Sequence, residues 1–146
     1  MKRSVIRTVA ISLLLSVFTS VCPQEADNAS GTLNHKIMAL YQQEKYGSAI
    51  VLAQQKLETA KQNLGSDHPD IADILTILAE LYIAQGAHDK AEPLLKRSLA
   101  IKEKALGPDH PDLADRLDNL AKFYKTQGAY DKAEPLYERL LAIKPA

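Results

Sequence analysis

The sequence contains no tryptophan, only two phenylalanines and a single cysteine. Because aromatic residues make up 5% of the chain, its core must be built largely from leucine, isoleucine and alanine, which suits closely packed helices. One cysteine excludes an intramolecular disulfide. An excess of charge is also lacking, since 18 basic residues balance 18 acidic ones, and nothing indicates a surface for nucleic acid or an anionic membrane. We find no nucleotide-binding loop, zinc-ligand spacing or nucleophile elbow.

Residues 1–22 differ from the rest of the chain. A basic start precedes an uncharged, mostly apolar run at residues 9–21, which is short for a bilayer span and typical of a secretory leader. We therefore predict an exported protein, either periplasmic or secreted. Without Lys2, Arg3 and Arg7 the remaining chain would be mildly acidic, with 15 basic against 18 acidic side chains.

The fate of Cys22 leaves three alternatives open. The cysteine is discarded with a signal peptide, carries a lipid as in bacterial lipoproteins, or belongs to an uncleaved membrane anchor. Val21 has the wrong shape for lipoprotein processing, so we favour a discarded signal peptide. Residues 23–31 are polar and poor in apolar side chains, which predicts a linker ahead of a folded domain at 32–146.

That domain contains an internal repeat. Residues 64–104 and 106–146 are two copies of one pattern, offset by 42 residues, with 26 of the 41 aligned positions identical. A weaker version of the same unit precedes them. Self-similarity at such a period is the signature of stacked repeats, each of which buries its apolar face against a neighbour. The predicted units are about 32–63, 64–105 and 106–146.

The first helix of the second unit has clear start and stop signals. Apolar residues within 71–82 recur at the three-and-four spacing of one helix face. Pro69 suits the first turn, where its missing amide costs nothing, and Asp67 or His68 would cap the helix. Gly86 is expected to end the helix, because glycine accepts the left-handed conformation that other residues resist.

The second helix of each unit is located by a proline. Pro93 is tolerated only near a helix start, so this helix should begin near His88, and its counterpart in the third unit near Tyr130. Ala79 and Ala91 are the small residues expected where the two helices of a pair approach most closely.

The weaker first unit lacks the glycine between its helices. Glu44 stands at the place of Gly86, so this turn must close without glycine. Residues 32–43 supply the first helix of the unit, and Ala49 aligns with Ala91 in the second helix. The sequence therefore predicts three helix pairs.

These residues resemble the tetratricopeptide repeat in the 42-residue form of kinesin light chains. The strings that match are LGSDHPDIADILTILAELYIAQGAHDKAEPLLKRSLAI and LGPDHPDLADRLDNLAKFYKTQGAYDKAEPLYERLLAI. The resemblance implies an all-α fold, a right-handed α-solenoid of three antiparallel helix pairs. It also implies a non-catalytic protein-interaction scaffold without a cofactor, whose first helices line a concave groove for an extended peptide. An exported member would be similar to a small periplasmic scaffold protein.

The resemblance places the inward face of each first helix. The implied groove positions are Asn34, His35 and Met38 in the first unit, Asp73, Thr76, Ile77 and Glu80 in the second, and Asp115, Asp118, Asn119 and Lys122 in the third. This face is mostly acidic or neutral. Family members that bind a carboxyl terminus use several basic residues here, whereas this chain has only Lys122. We therefore expect a basic or neutral extended protein segment as partner.

The string Asp-His-Pro-Asp occurs at residues 67–70 and 109–112. A histidine between carboxylates can bind a metal or act as a base, which defines a remote alternative, a metal-dependent hydrolase using His68 and His110. A turn, a cap and a proline in the first helical turn account for the same residues. Because a 42-residue repeat holds equivalent atoms one repeat apart, we predict neither a metal site nor catalysis.

Four tyrosines could instead suggest a stacking surface for bases or sugars. Their helical spacing predicts packing within the core and between helices. They are Tyr82, Tyr124, Tyr130 and Tyr137.

The third unit is not followed by a capping helix in this sequence. Solenoids usually close with such a helix, so we expect exposed apolar surface around Leu136, Leu140 and Leu141. Self-association or partner docking would occur there. A second reading of the whole chain is a membrane-tethered assembly factor, held by an uncleaved leader or a lipid on Cys22.

Overall fold

A computed structural model describes residues 29–143 of the chain. The predicted leader at 1–22, with Cys22, lies outside the described residues, as does most of the predicted linker. The first helix begins at Ala29, so the last three residues assigned to the linker are helical. Residues 33–143 belong to one compact unit.

Every regular element of the described residues is helical, and the helices form three antiparallel pairs in a right-handed α-solenoid. This confirms the predicted fold. A single turn of 3-10 helix at Pro111–Leu113 precedes the fifth α-helix. The α-helices are α1 (Ala29–Gln42), α2 (Tyr46–Leu64), α3 (Pro69–Ala84), α4 (His88–Leu106), α5 (Ala114–Thr126) and α6 (Tyr130–Ile143).

The predicted helix starts are confirmed. Helix α3 begins at Pro69, and the cap is His68 rather than Asp67: the His68 Nδ1 atom accepts a hydrogen bond from the Asp70 amide at 3.2 Å. Helices α4 and α6 begin at His88 and Tyr130, as their internal prolines required.

In each turn that joins the two helices of a pair, one residue adopts the left-handed backbone conformation. Gly86 has φ +82° and Gly128 has φ +72°. In the first pair Glu44 takes this conformation, with φ +59°, and it is the only non-glycine residue of the described chain with positive φ. The first turn therefore closes without glycine at the cost of backbone strain, about 1–2 kcal/mol for an L-residue.

The core lies between the helices of each pair and between neighbouring pairs. Its largest fully buried side chains include Ile71, Leu75, Leu113 and Leu117, which belong to the predicted apolar stripes. The aligned alanines are buried almost completely, as close helix contact requires. These alanines are Ala49, Ala79, Ala91, Ala121 and Ala133.

Two predictions about burial were wrong in part. Tyr82 and Tyr124 are buried and Tyr137 is half-buried, but Tyr130 is 66% exposed at the first position of α6. Leu141 is 74% exposed, as expected, whereas Leu136 is half-buried and Leu140 is buried.

Candidate partner-binding groove

The first helices of the three pairs, α1, α3 and α5, carry all eleven predicted groove residues. Where α1 lies beside α3, their side chains enclose an open pocket of about 320 Å³. Four of the predicted residues line it, namely Asn34, Met38, Ile77 and Glu80. Part of the predicted groove surface therefore forms a pocket.

Sequence reasoning missed three residues of this pocket, Ile37, Tyr41 and Leu81. Ile37 and Leu81 are buried and form part of the core, whereas Tyr41 is 42% exposed. The Tyr41 ring lies edge-on to Tyr46 in α2, with 5.5 Å between the ring centroids, and this contact helps to orient it. The sequence did contain a signal for Tyr41, because this residue follows Met38 by three positions and therefore lies on the same helix face.

Most of the pocket wall is apolar. Met38, which is 57% exposed, and Tyr41 supply apolar surface from α1, while Ile77 and Leu81 supply it from α3. Exposed apolar side chains gathered around a depression are typical of a surface that another molecule covers.

Glu80 is the only charged residue that lines the pocket. Its side chain is exposed to solvent, yet the surrounding atoms shield the carboxyl group enough to raise its pKa, an effect that the Arg116 guanidinium partly opposes. The Arg116 guanidinium is itself paired with Asp73, which also lies 3.6 Å from the Lys102 ammonium of α4.

Thr76 differs from its predicted role, because it is buried. Its hydroxyl group lies 2.8 Å from the Ser98 hydroxyl of α4 and 3.1 Å from the Ala72 carbonyl oxygen. Ser98 also donates a hydrogen bond to the same carbonyl, at 2.7 Å. Thr76 therefore holds α3 against α4 and does not contribute to the groove surface.

The positions equivalent to Thr76 in the other two pairs are Asn34 and Asp118, and their side chains have different partners. Asn34 accepts a hydrogen bond from the Lys56 ammonium of α2, and burial lowers the pKa of Lys56. Asp118 pairs with Lys122 one turn later in α5, at 2.6 Å, and this hydrogen bond raises the pKa of Lys122. The single basic residue of the predicted groove is thus already matched by an acid of its own helix.

The remaining predicted residues lie on the surface of α1 and α5. His35 and Asp115 are exposed, and Asn119 is half-buried. They lie outside the pocket between α1 and α3. The predicted residues therefore divide into a pocket group, a group paired with other side chains, a group on the helix surface outside the pocket, and Thr76, which is internal.

The two histidines of the Asp-His-Pro-Asp strings act as helix caps. The His110 Nδ1 atom accepts the Asp112 amide at 3.2 Å, as His68 does for Asp70. No cluster of three or more histidine, cysteine or acidic residues suited to a metal ion occurs in residues 29–143. The hydrolase hypothesis therefore lacks a convergent ligand set in the described part of the chain.

Comparisons with known proteins agree with this architecture. A family model described as a tetratricopeptide repeat matches residues 28–104 and residues 70–146, two matches that are themselves offset by 42 residues. The crystal structure of BtubC (BKLC) from P. vanneervenii is similar, with a TM-score of 0.71 and 27% sequence identity. The alignment covers 90% of this chain and 53% of that chain, so the present chain spans about half the length of that relative.

A search of curated proteins found no match. Among the described helices, none has the length and apolar character needed to cross a membrane.

Proposed function

Because the chain belongs to the tetratricopeptide repeat family, we propose that it is a non-catalytic scaffold that binds an extended segment of a partner protein. The binding surface is the groove formed by α1, α3 and α5. The observation that carries the proposal is the open apolar pocket between α1 and α3, with Met38 and Tyr41 exposed beside it.

The charge of this surface favours a basic or neutral partner segment. Glu80 and Asp115 are exposed acids, and the Lys122 ammonium is occupied by Asp118. Complementary charge across an interface steers association and rejects partners of the wrong sign. An acidic segment would meet uncompensated carboxylates here, whereas a basic one would be attracted.

Charge reversal tests the groove. The full chain is crosslinked in cells to its partner, and the double variant Asp115→Lys with Asp118→Lys is compared with it. We expect the variant to capture much less partner while its helical circular dichroism stays unchanged. The matched control reverses two exposed acids on the second helices, Glu58→Lys with Glu138→Lys, and should capture as much partner as the unmodified chain. Equal capture by both double variants would contradict the groove as binding site.

We also propose that the scaffold acts outside the cytoplasm, since residues 1–22 have the pattern of a secretory leader. A membrane-tethered assembly factor is the alternative form of the same function. The mass of the mature protein purified from its native host distinguishes them. Loss of the leader supports a released scaffold, an added lipid mass on Cys22 or retention of the leader supports the tethered form, and a cytoplasmic protein of full mass would contradict export.

A stripe on α6 supports a second docking surface. The α6 stripe consists of Tyr130, Glu134, Tyr137 and Leu141. Its counterpart in α4 packs against α5: the His88 ring lies 6.1 Å from the Phe123 ring, and Glu92 accepts a hydrogen bond from the Tyr124 hydroxyl at 2.9 Å. Leu99, the α4 counterpart of Leu141, is only 7% exposed, against 74% for Leu141.

The packing of α4 against α5 indicates what would cover the α6 stripe. We propose an amphipathic helix of another polypeptide, placed as α5 is placed on α4 and presenting aromatic side chains like Phe123 and Tyr124. Sedimentation velocity of the full chain over a hundredfold concentration range, with and without Leu141→Asp, tests it. Association that the variant abolishes identifies a second copy as the polypeptide. A monomer that binds no apolar-surface dye would contradict the proposal.

A further inference from the structure

The pocket between α1 and α3 has features that specify part of its ligand. We propose that it selects an extended segment in which a large aliphatic or aromatic side chain is followed two residues later by lysine or arginine. The proposal deepens the groove function and rests on it. It rests on the shape of the pocket, the position of its one charged residue and the spacing of side chains that point to the same side of an extended chain.

The apolar part of the pocket suits one large side chain. Ile37 and Leu81 are buried, while Met38, Tyr41 and Ile77 are partly accessible around them. The open pocket, about 320 Å³ in volume, is large enough to admit a leucine, methionine or phenylalanine side chain. Such a side chain would cover the exposed surface of Met38 and Tyr41.

The acidic part is Glu80, one helical turn after Ile77. Side chains three residues apart on a helix are neighbours, with Cβ atoms about 5–6 Å apart. In an extended segment, residues i and i+2 point to the same side and are about 6.6 Å apart. In a segment that runs in the same direction as α3, an apolar side chain against Ile77 therefore brings the side chain two residues later to Glu80.

The neighbouring charges leave Glu80 as the group that faces the ligand. The Arg116 guanidinium is bound to Asp73, and the Lys56 ammonium is bound to Asn34. The Glu80 side chain is exposed to solvent, and the surrounding atoms raise the pKa of its carboxyl group, an effect that the Arg116 guanidinium partly opposes. The carboxylate can therefore pair with a cationic side chain of the ligand as an exposed acid does.

Methionine labelling gives a direct readout, because Met1 and Met38 are the only methionines of the chain. The full chain carries a ¹³C methyl label on methionine, and its spectrum is recorded during titration with capped ten-residue peptides of glycine and serine. One peptide contains Leu-Ser-Arg and a second contains Leu-Ser-Glu. A third has the composition of the first but places leucine and arginine six residues apart.

We expect the Met38 methyl signal to move with the Leu-Ser-Arg peptide and to report about three- to fivefold tighter binding than with either other peptide at low salt. Glu80→Gln should remove the preference for arginine while leaving the leucine-dependent shift. Glu58→Gln, an exposed acid of α2, is the control and should keep the preference. Tyr41→Ala should weaken all three peptides by a similar factor.

Other outcomes overturn the inference. It fails if the Leu-Ser-Glu peptide binds as tightly as the Leu-Ser-Arg peptide, if Glu80→Gln keeps the preference, or if no peptide moves the Met38 signal. These failures are distinct from failure of the groove itself. Partner capture that depends on Asp115 and Asp118 would then still support the scaffold function, with a different segment bound.

Discussion

The strained turn between α1 and α2 makes a sharp prediction about stability. Glu44 is the left-handed residue of this turn, with φ +59°, at the position that Gly86 holds in the second pair. The hydrogen bonds that close the two turns are equivalent. The Glu44 amide donates to the Tyr41 carbonyl at 2.9 Å, and the Gly86 amide donates to Ile83 at 2.9 Å. Glu44→Gly should therefore stabilise the protein without altering the turn.

The magnitude follows from two opposing terms. Relief of the left-handed conformation contributes about 1–2 kcal/mol, whereas the greater freedom of glycine in the unfolded chain costs about 0.4–1 kcal/mol. We expect a net gain of about 0.5–1 kcal/mol, or a rise in Tm of about 2–4 °C for a domain of this size. The Glu44 side chain is exposed, so no packing is lost.

Urea unfolding of the full chain, followed by circular dichroism, measures the effect. Glu44→Ala is the first control, because it removes the carboxylate but keeps the strained backbone, and it should not stabilise. Gly86→Glu is the reverse control. A Cβ at Gly86 would meet no atom within 4 Å, so its expected loss of about 0.5–1 kcal/mol is conformational. The reasoning would be refuted if Glu44→Ala stabilised the protein as much as Glu44→Gly.

Three further predictions concern packing and charge. Ala79→Leu should destabilise the protein by about 1–3 kcal/mol in urea unfolding, because Ala79 is completely buried where α3 meets α4. A loss of stability below about 0.5 kcal/mol would indicate that this helix pair is loosely packed. Leu99→Ala should lower the free energy of unfolding by about 2–5 kcal/mol, whereas the equivalent Leu141→Ala should change it by less than about 0.5 kcal/mol. Equal losses would contradict the difference in burial between the two side chains. The Leu-Ser-Arg peptide should bind more weakly as pH falls, since protonation removes the Glu80 charge, whereas Glu80→Gln should show no such change. Because burial raises the pKa of Glu80, the weakening should begin at a higher pH than for an ordinary glutamate, and a pH dependence that Glu80→Gln retains would exclude Glu80 as its source.

The helix boundaries were largely predictable, because their signals act within a few residues. Pro69 and His68 define the start of α3, and Gly86 defines its end. The third unit departs from its copy in one detail. Its Pro111–Leu113 segment forms a turn of 3-10 helix before α5, although the His110 cap is the same as in the second unit.

The pocket was only partly predictable. Met38 and Glu80 were placed on the inward face by resemblance, but Ile37 and Leu81 are core residues in the structure, and the sequence gave no separate signal that they line a pocket. A pocket forms where two helices leave space between them, and helix spacing depends on side chains from both. One helix considered alone therefore does not reveal it.

The sequence by itself determined the repeat, the three helix pairs and the turn residues, since periodicity, proline and left-handed glycine act locally. Only the tertiary structure decided the surroundings of equivalent positions. Asn34, Thr76 and Asp118 share one register, yet they bind Lys56, Ser98 and Lys122 respectively. Lys56 and Ser98 each lie 22 residues later, on the second helix of the pair, whereas Lys122 lies one turn along α5 itself. A side chain's partners and exposure depend on whatever other helices bring beside it, which no local pattern specifies.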